Sequence, residues 1–370
     1  MVDDIILKTP LTYFDLFFLS GEAEMEYEAM KVHLYDMNED EVFYKTYYYA
    51  RQQEYSLQKF LANLDMKDVL ARKLVIMEKK ETIPPVFEDS FFFDLTDNNS
   101  IVVQRHNRYA PAFVHHHTFF ELVYVYDGRC SQTISGQEVS MHTGDVCIIP
   151  PEIEHSLSVF DESIVINIMI RKDTLNTIFY NFLNTKNILS SFFINNIYAK
   201  HANDYIIFHT GSDIALKEAF LRMLWENINM EKYYYQCISS CLTLCFHLLV
   251  RSYEDSVQMP TFASKLDVQR YALIRYIQEN YRDVNLCAIG ERFHYTPEYA
   301  SRIIKETTGM TFTEIVLRIR MEKAKEMLLN TNLTIASIAE EIGYDSPEHF
   351  IRVFKKNNHT TPTTFRKNGY

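Results

Sequence analysis

The chain has 370 residues, 47% of them apolar, with 26 Phe and 25 Tyr; this allows two or three domains with their own cores and excludes a disordered chain. Its charge is uneven: residues 261–370 carry 16 Lys+Arg against 13 Asp+Glu, and residues 1–260 carry 21 against 36, so a mildly basic tail follows an acidic body. The six Cys, at 130, 147, 237, 241, 245 and 287, form no CxxC pair, which excludes a disulfide scaffold and points to a reducing compartment.

The opening MVDDIILKTP has an acidic head and no long apolar run, so it does not read as a secretory signal. The most apolar stretch, Cys241 to Val250, is too short to span a bilayer. A cytoplasmic protein with no membrane partner is expected. Residues 1–90 read as a mostly helical N-terminal extension of unknown role, with helical spacing at Leu57, Leu61 and Leu64, closed by Pro84-Pro85. Over residues 91–171 the pattern changes to short β-branched and aromatic runs. Strands are expected at Glu121–Tyr126, Arg129–Ile134, Glu138–Met141 and Val146–Ile149. Asp127-Gly128, Ser135-Gly136 and Gly144-Asp145 separate them, and Asp127-Gly128 is a strong hairpin dipeptide. Such regular spacing predicts a sandwich or a small antiparallel β-barrel.

Helical periodicity returns over residues 172–256. Asp173–Leu189 is one candidate helix, and a strand-like run, Tyr205–Phe208, interrupts. Asp213–Met230 and Tyr233–Arg251 then read as long amphipathic helices, a candidate dimerisation region. Cys237, Cys241 and Cys245 fall at i, i+4, i+8 on one helix face, and small apolar packing explains them better than a thiolate site. Residues 257–265 are polar, contain Pro260 and read as a linker.

From Leu266 to the end the chain reads as short helices. Leu286–Phe293 precedes a turn at His294-Tyr295; Thr296 is a candidate N-cap, Pro297 suits the first helical position, and the helix from Glu298 stops at Gly309. The arrangement repeats: Thr334 caps Ile335–Ile342, which stops at Gly343, and Ser346-Pro347 opens a helix to Lys356. Two helices about a short turn make a helix-turn-helix, and the tail carries two. Each second helix has an Arg six residues past its cap (Arg302, Arg352) and a Lys three further on (Lys305, Lys355). The helix between the units, Phe312–Leu329, is roughly 27 Å long. With its flanking turns it sets the two reader helices about one duplex turn, ~34 Å, apart.

This tail, residues 266–370, resembles the AraC/XylS family of transcription regulators. The matching string is Arg320-Met-Glu-Lys-Ala-Lys-Glu-Met-Leu328-Leu329, Ile338-Ala339, Gly343-Tyr344, Phe350-x-Arg352-x-Phe354-Lys355 and Thr361-Pro362-x-x-Phe365-Arg366. His359 stands where the family usually has Gly, at a position that calls for left-handed backbone. The resemblance implies base-facing positions at Glu298, Tyr299, Ser301 and Arg302, and at Glu348, His349, Ile351 and Arg352, with Ser346 at the second corner. Arg pairs bidentately with guanine, and Ile meets a thymine methyl. Lys305, Lys355 and Lys356 suit phosphate contacts. Glu298 and Glu348 either read cytosine or stabilise the helix N-terminus.

His115-x-His117-x-x-x-Glu121 with Gly128, and Gly144, Pro150 and His155, resemble the two cupin motifs, although Glu152 and Val159 replace the second motif's Gly and Asn. Three imidazoles and a carboxylate suit a first-row metal, an organic effector or structural hydrogen bonding. In AraC/XylS sensor domains, which this half-matching string also resembles, the barrel commonly binds a sugar and no metal. The resemblance therefore implies effector binding at His115, His117, Glu121, Tyr124 and His155, with no metal and no cofactor. The expected fold is multidomain α+β: a cupin-like antiparallel β-barrel sensor, a helical dimerisation segment, then an all-α tandem helix-turn-helix domain. The expected function is a DNA-binding regulator, an activator by family habit, with promoter DNA, a small effector such as a carbohydrate, a second copy and RNA polymerase as partners. Two alternatives are control by a protein partner and a metal-dependent cupin enzyme fused to a DNA-binding tail. No Gly-rich phosphate loop, GxSxG or HExxH is present, so no catalytic residue and no enzyme is expected.

Overall fold

The computed structural model describes residues 21–84, 86–93, 100–177, 182, 187–198, 205–259, 272–274 and 276–368. The start of the N-terminal extension, much of the expected helix Asp173–Leu189 and residues 260–265 of the expected linker lie outside them.

Among the described residues four α-helices come first: α1 (Gly21–His33), α2 (Glu39–Ala50), α3 (Glu54–Ala62) and α4 (Met66–Ala71). A capping box starts α2: Asn38 Oδ1 accepts the Glu41 N–H at 2.8 Å, and Glu41 returns the bond from the Asn38 N–H. These helices dock onto the strands and helices of residues 100–230. Tyr27 lies edge-on to Trp225 at 5.9 Å and donates to Glu218 at 2.9 Å. Glu41, 0% exposed, binds Arg105 at 2.6 Å and Arg108 at 2.9 Å.

Next come β1 (Val86–Phe87), the single turn α5 (Asp89–Phe92), β2 (Ile101–Arg105), β3 (His116–His117), β4 (Phe120–Asp127), β5 (Arg129–Ile134), β6 (Gln137–His142), β7 (Asp145–Ile149), β8 (His155–Ser158) and β9 (Ile164–Ile170). After them stand α6 (Lys172–Thr177), α7 (Ile188–Tyr198), β10 (Ile206–His209), α8 (Ile214–Asn229) and α9 (Tyr234–Tyr253). The strands form an antiparallel five-stranded sheet in the order β10-β7-β4-β9-β2, a three-stranded sheet β6-β5-β8, and the parallel pair β1-β3. Period-two alternation splits the core. Val123 and Val125 of β4, Cys147 of β7 and Val165 of β9 pack with Cys130, Ile134 and Leu157 of the smaller sheet. Leu122, Tyr124, Ile148 and Ile166, on the opposite face, pack with Phe193, Phe220 and Phe246 of α7, α8 and α9.

Three expectations change. Ser135 (φ 49°) and Gly136 (φ 78°) do form the two-residue hairpin between β5 and β6. Asp127-Gly128 and Gly144-Asp145 do not close hairpins: β4 and β7 belong to the larger sheet, β5 and β6 to the smaller. They are corners where the chain changes sheet, tied by Thr143 N–H to Gly128 O at 2.9 Å and Gly144 N–H to Val125 O at 2.8 Å. The corner at Gly144 (φ 91°) demands glycine, because a Cβ there would lie 1.8 Å from Gly211 O. The expected helix Asp173–Leu189 is not continuous: α7 begins anew at Ile188, where Asn187 Oδ1 accepts the Ser190 N–H at 2.7 Å. The strand-like run Tyr205–Phe208 is present as β10, an edge of the main sheet, but Gln258, placed in the linker, exchanges two 2.9 Å backbone bonds with Ile207 and so belongs with that edge.

The C-terminal region contains α10 (Leu286–Phe293), α11 (Pro297–Thr308), α12 (Phe312–Asn330), α13 (Ile335–Glu341), α14 (Pro347–Asn358) and α15 (Pro362–Asn368). Its core is built from Ile289, Ala300, Ile304 and Ile315 around the first unit, and Ala324, Ile338, Phe350 and Phe354 around the second. No described helix is long and apolar enough to cross a membrane.

Candidate functional site

The two reader helices are built alike. Thr296 Oγ1 accepts the Tyr299 N–H and Ser346 Oγ accepts the His349 N–H, each at 3.2 Å, with Pro at the first helical position of both. Gly290 lets the turn before α11 fold back closely onto α10, since a Cβ there would sit 2.6 Å from Tyr295 O. At the end of α14, His359 takes the left-handed conformation (φ 55°) expected of the position.

Burial then sorts the side chains. Ala300, Ile303 and Ile304 of α11 and Phe350 and Phe354 of α14 are buried. Glu298, Tyr299, Arg302 and Lys305, and Glu348, His349, Ile351, Arg352, Lys355 and Lys356, are all exposed; Ser301 and Ser346 are half-buried. Arg302 lies over the Tyr299 ring at 5.0 Å and only 3.9 Å from Glu306, a loose arrangement that a base or phosphate can displace. Ser346 uses its hydroxyl locally, donating to Glu348 at 2.8 Å while capping the helix. That bond holds the Glu348 carboxyl below its ordinary value.

In the N-terminal region a cavity of about 830 Å³ opens between the first helices and the sheet. Leu34, Asn38, Arg72 and Lys73 line one side; Arg105, His106, His115, His117, Glu121, His155 and Asn167 line the other. The histidines come together through backbone pairing, because His115 and His155 exchange two 2.9 Å backbone hydrogen bonds. Their ring centroids are 4.4 Å apart, and those of His117 and His155 4.9 Å. Burial lowers His115 to about 3 and His106 to about 4, so both rings are neutral at pH 7. His106 Nε2, His117 Nε2 and Asn167 Oδ1 are buried without hydrogen-bond partners, and all three residues line the cavity.

Tyr124 does not join them. Strand residues three apart face opposite ways, so with Glu121 turned to the cavity Tyr124 points away from it. It stacks on Phe220 at 4.0 Å in the core against the helices. The sequence reading missed His106, Arg105, Asn167 and the wall supplied by the first helices. A signal existed for Asn167, a polar residue inside the otherwise apolar run Ile164–Ile170. Cys245 is buried, and burial pushes Cys241 up to about 11, so these thiols are core groups and not reactive ones.

Comparison with known proteins fits this layout. Residues 289–368 match the family model described as a helix-turn-helix domain, and residues 101–163 the one described as an AraC-like ligand binding domain. The chain is 28% identical over 121 residues to the uncharacterized HTH-type transcriptional regulator YisR of Bacillus subtilis (strain 168), covering 32% of this chain and 41% of that one. It is 22% identical over 259 residues to YobQ of the same organism, another uncharacterized HTH-type transcriptional regulator, covering 69% and 89%. It is 24% identical over 275 residues to the HTH-type transcriptional activator RhaS of Escherichia coli (strain SE11), covering 73% and 93%. YisR is therefore matched over less than half of its own length. The chain thus carries an AraC-like ligand binding domain followed by a helix-turn-helix domain, and the relatives it is similar to are HTH-type transcription regulators.

Proposed function

We propose that the chain is a sequence-specific regulator that reads promoter DNA with α11 and α14 and responds to a small polar effector held in the cavity. The observation that carries the DNA reading is the twin presentation of Arg302 and Arg352, exposed at the same offset from two like-built caps. Arg at such positions supplies base discrimination, and Lys305, Lys355 and Lys356 supply phosphate contacts.

The effector reading rests on the cavity. Its volume lies within the range typical of small-molecule sites, and orphaned buried polar atoms on its walls call for a hydrogen-bonding guest such as a carbohydrate. We read the two larger sheets as the walls of an open cupin-like barrel, with the helices of residues 21–71 as a third wall and part of the sensor. Ile214, Ile228 and Leu244, exposed on α8 and α9, favour pairing with a second copy through these helices. Similarity to the transcriptional activator RhaS supports an activator role, with RNA polymerase as the further partner.

The test is a pull-down of genomic fragments by the purified protein at near-physiological salt, with Arg302→Ala and Arg352→Ala in parallel. Enrichment of a few promoters that both variants lose supports the reading. Enrichment of the same fragments by the variants, or of none by the parent, refutes it.

A further inference from the structure

We propose that His117, Glu121 and His155 bind one divalent first-row transition metal ion at the cavity wall. The ligand atoms of these three buried residues lie within 4.8 Å of one another. Backbone carbonyls fix where the ring protons are. His117 Nδ1 is 2.7 Å from Phe119 O, and His155 Nδ1 is 3.1 Å from Ile153 O. A carbonyl oxygen only accepts, so in both rings Nδ1 carries the proton and Nε2 presents a lone pair.

Both lone pairs face the same carboxylate oxygen. Glu121 Oε2 lies 3.4 Å from His117 Nε2 and 3.0 Å from His155 Nε2. The other oxygen, Oε1, accepts Asn167 Nδ2–H at 2.7 Å, which sets the carboxylate's orientation. With both rings neutral, two ring nitrogens and a carboxylate oxygen thus converge on one point. His117 Nε2 is buried and makes no hydrogen bond. A single cation among the three satisfies all of them at once.

The two distances from the carboxylate oxygen to the ring nitrogens have the right size. Ligand atoms held at about 2.0–2.2 Å from a metal lie about 3.0 Å apart at a right angle and about 3.4 Å apart at the tetrahedral angle. The observed 3.0 and 3.4 Å fall at those two values. Each ligand also has the outer hydrogen bond that metal sites use to fix tautomer and orientation: Phe119 O, Ile153 O and Asn167 Nδ2. A donor set of two imidazoles and a carboxylate, with no thiolate, suits zinc, iron, manganese or nickel. Three protein ligands leave a coordination position for a group in the cavity. Metal uptake at this wall is independent of what the tail binds.

The test uses the full chain, stripped with a chelator and then titrated with Co2+ followed by visible absorption and with Zn2+ by competition against a chromophoric chelator. The expected result is one equivalent per chain, with the d–d bands of nitrogen and oxygen ligation and no thiolate charge-transfer band. Glu121→Gln weakens uptake by about 100-fold or more, and Asn167→Ala, which keeps all three ligands, by ~10-fold. Near-UV circular dichroism checks that each variant is folded; if Glu121→Gln is not, Asn167→Ala decides. No Co2+ uptake by the parent, equal affinity in parent and folded variants, or a thiolate band placing the metal on cysteine overturns the proposal.

Discussion

Replacing Glu41 tests whether the first helices are a structural part of the sensor. Its carboxylate is 0% exposed, takes Arg108 Nε at 2.9 Å and Arg105 Nη2 at 2.6 Å, and closes the α2 capping box from the Asn38 N–H at 3.1 Å. Removing one partner of a buried pair costs about 3–5 kcal/mol, because the other charge stays buried. Arg108 keeps Glu162 at 2.9 Å and Tyr35 O at 3.0 Å, which favours the lower end. Losing half the capping box adds about 0.5 kcal/mol. Glu41→Ala should therefore lower the sensor's unfolding free energy by about 3–4 kcal/mol. Urea unfolding followed by fluorescence reads this well, because the single Trp, Trp225, packs against Tyr27 of α1 and reports the N-terminal region alone. Acid supplies a second arm. Burial raises the Glu41 carboxyl, but the Arg108 hydrogen bond and the Arg105 charge outweigh it, so the folded value lies below the ordinary 4.5. A depressed folded value means that the stabilisation is present above pH 4.5 and is lost as pH falls through the folded value. The variant should lose that part of the acid slope. A cost under about 1 kcal/mol with an unchanged acid slope would refute the buried-pair argument.

Arg302→Ala and Arg352→Ala should each cost about 1–3 kcal/mol of specific DNA binding by anisotropy titration, with helicity unchanged. Lys355→Ala should instead weaken binding to all sequences and reduce the slope of log affinity against log salt by about one; an unchanged slope would remove Lys355 from the phosphate contacts. Burial lowers Lys323 from 10.5 to about 8, with Glu326 at 3.3 Å opposing part of the shift. The unfolded chain holds this proton up to pH 10.5 and the folded one only to about 8, so the penalty is full below 8 and fades as pH rises between them. Lys323→Met should then stabilise the C-terminal domain by about 2 kcal/mol at pH 7, and thermal melts at pH 7 and 10 should show the gain shrinking. His359→Gly should raise the same domain's stability by about 0.5–1 kcal/mol through relief of its positive φ, and a lower melting temperature would contradict that.

The helix-turn-helix units were legible almost to the residue. Thr296, Thr334 and Ser346 cap the helices they were expected to cap, and the left-handed turn at His359 is present. Strands fared differently: β5 matched its expected span, yet Asp127-Gly128 proved to be a corner between sheets and not a hairpin turn. The dipeptide encodes a positive-φ bend, and strand partners encode the rest. Tyr124 was misplaced although its three-residue offset from Glu121 on β4 already put it on the other face.

What the sequence determined by itself was therefore whatever rests on contacts within a few residues: caps, turns, amphipathic faces, and the exposed Arg and Lys of the reader helices. The grouping of His115, His117, Glu121 and His155 was legible in the motif spacing, and the tertiary structure alone decided what surrounds them. His106, Arg105 and Asn167 join His117, Glu121 and His155 from different strands, and Arg72 arrives from a helical segment that read as a separate extension. Such neighbours are set by strand pairing and by the burial of Glu41 against Arg108, 67 positions away along the chain. Contacts over that separation leave no local pattern, because each residue's own segment would fold the same way without its partner.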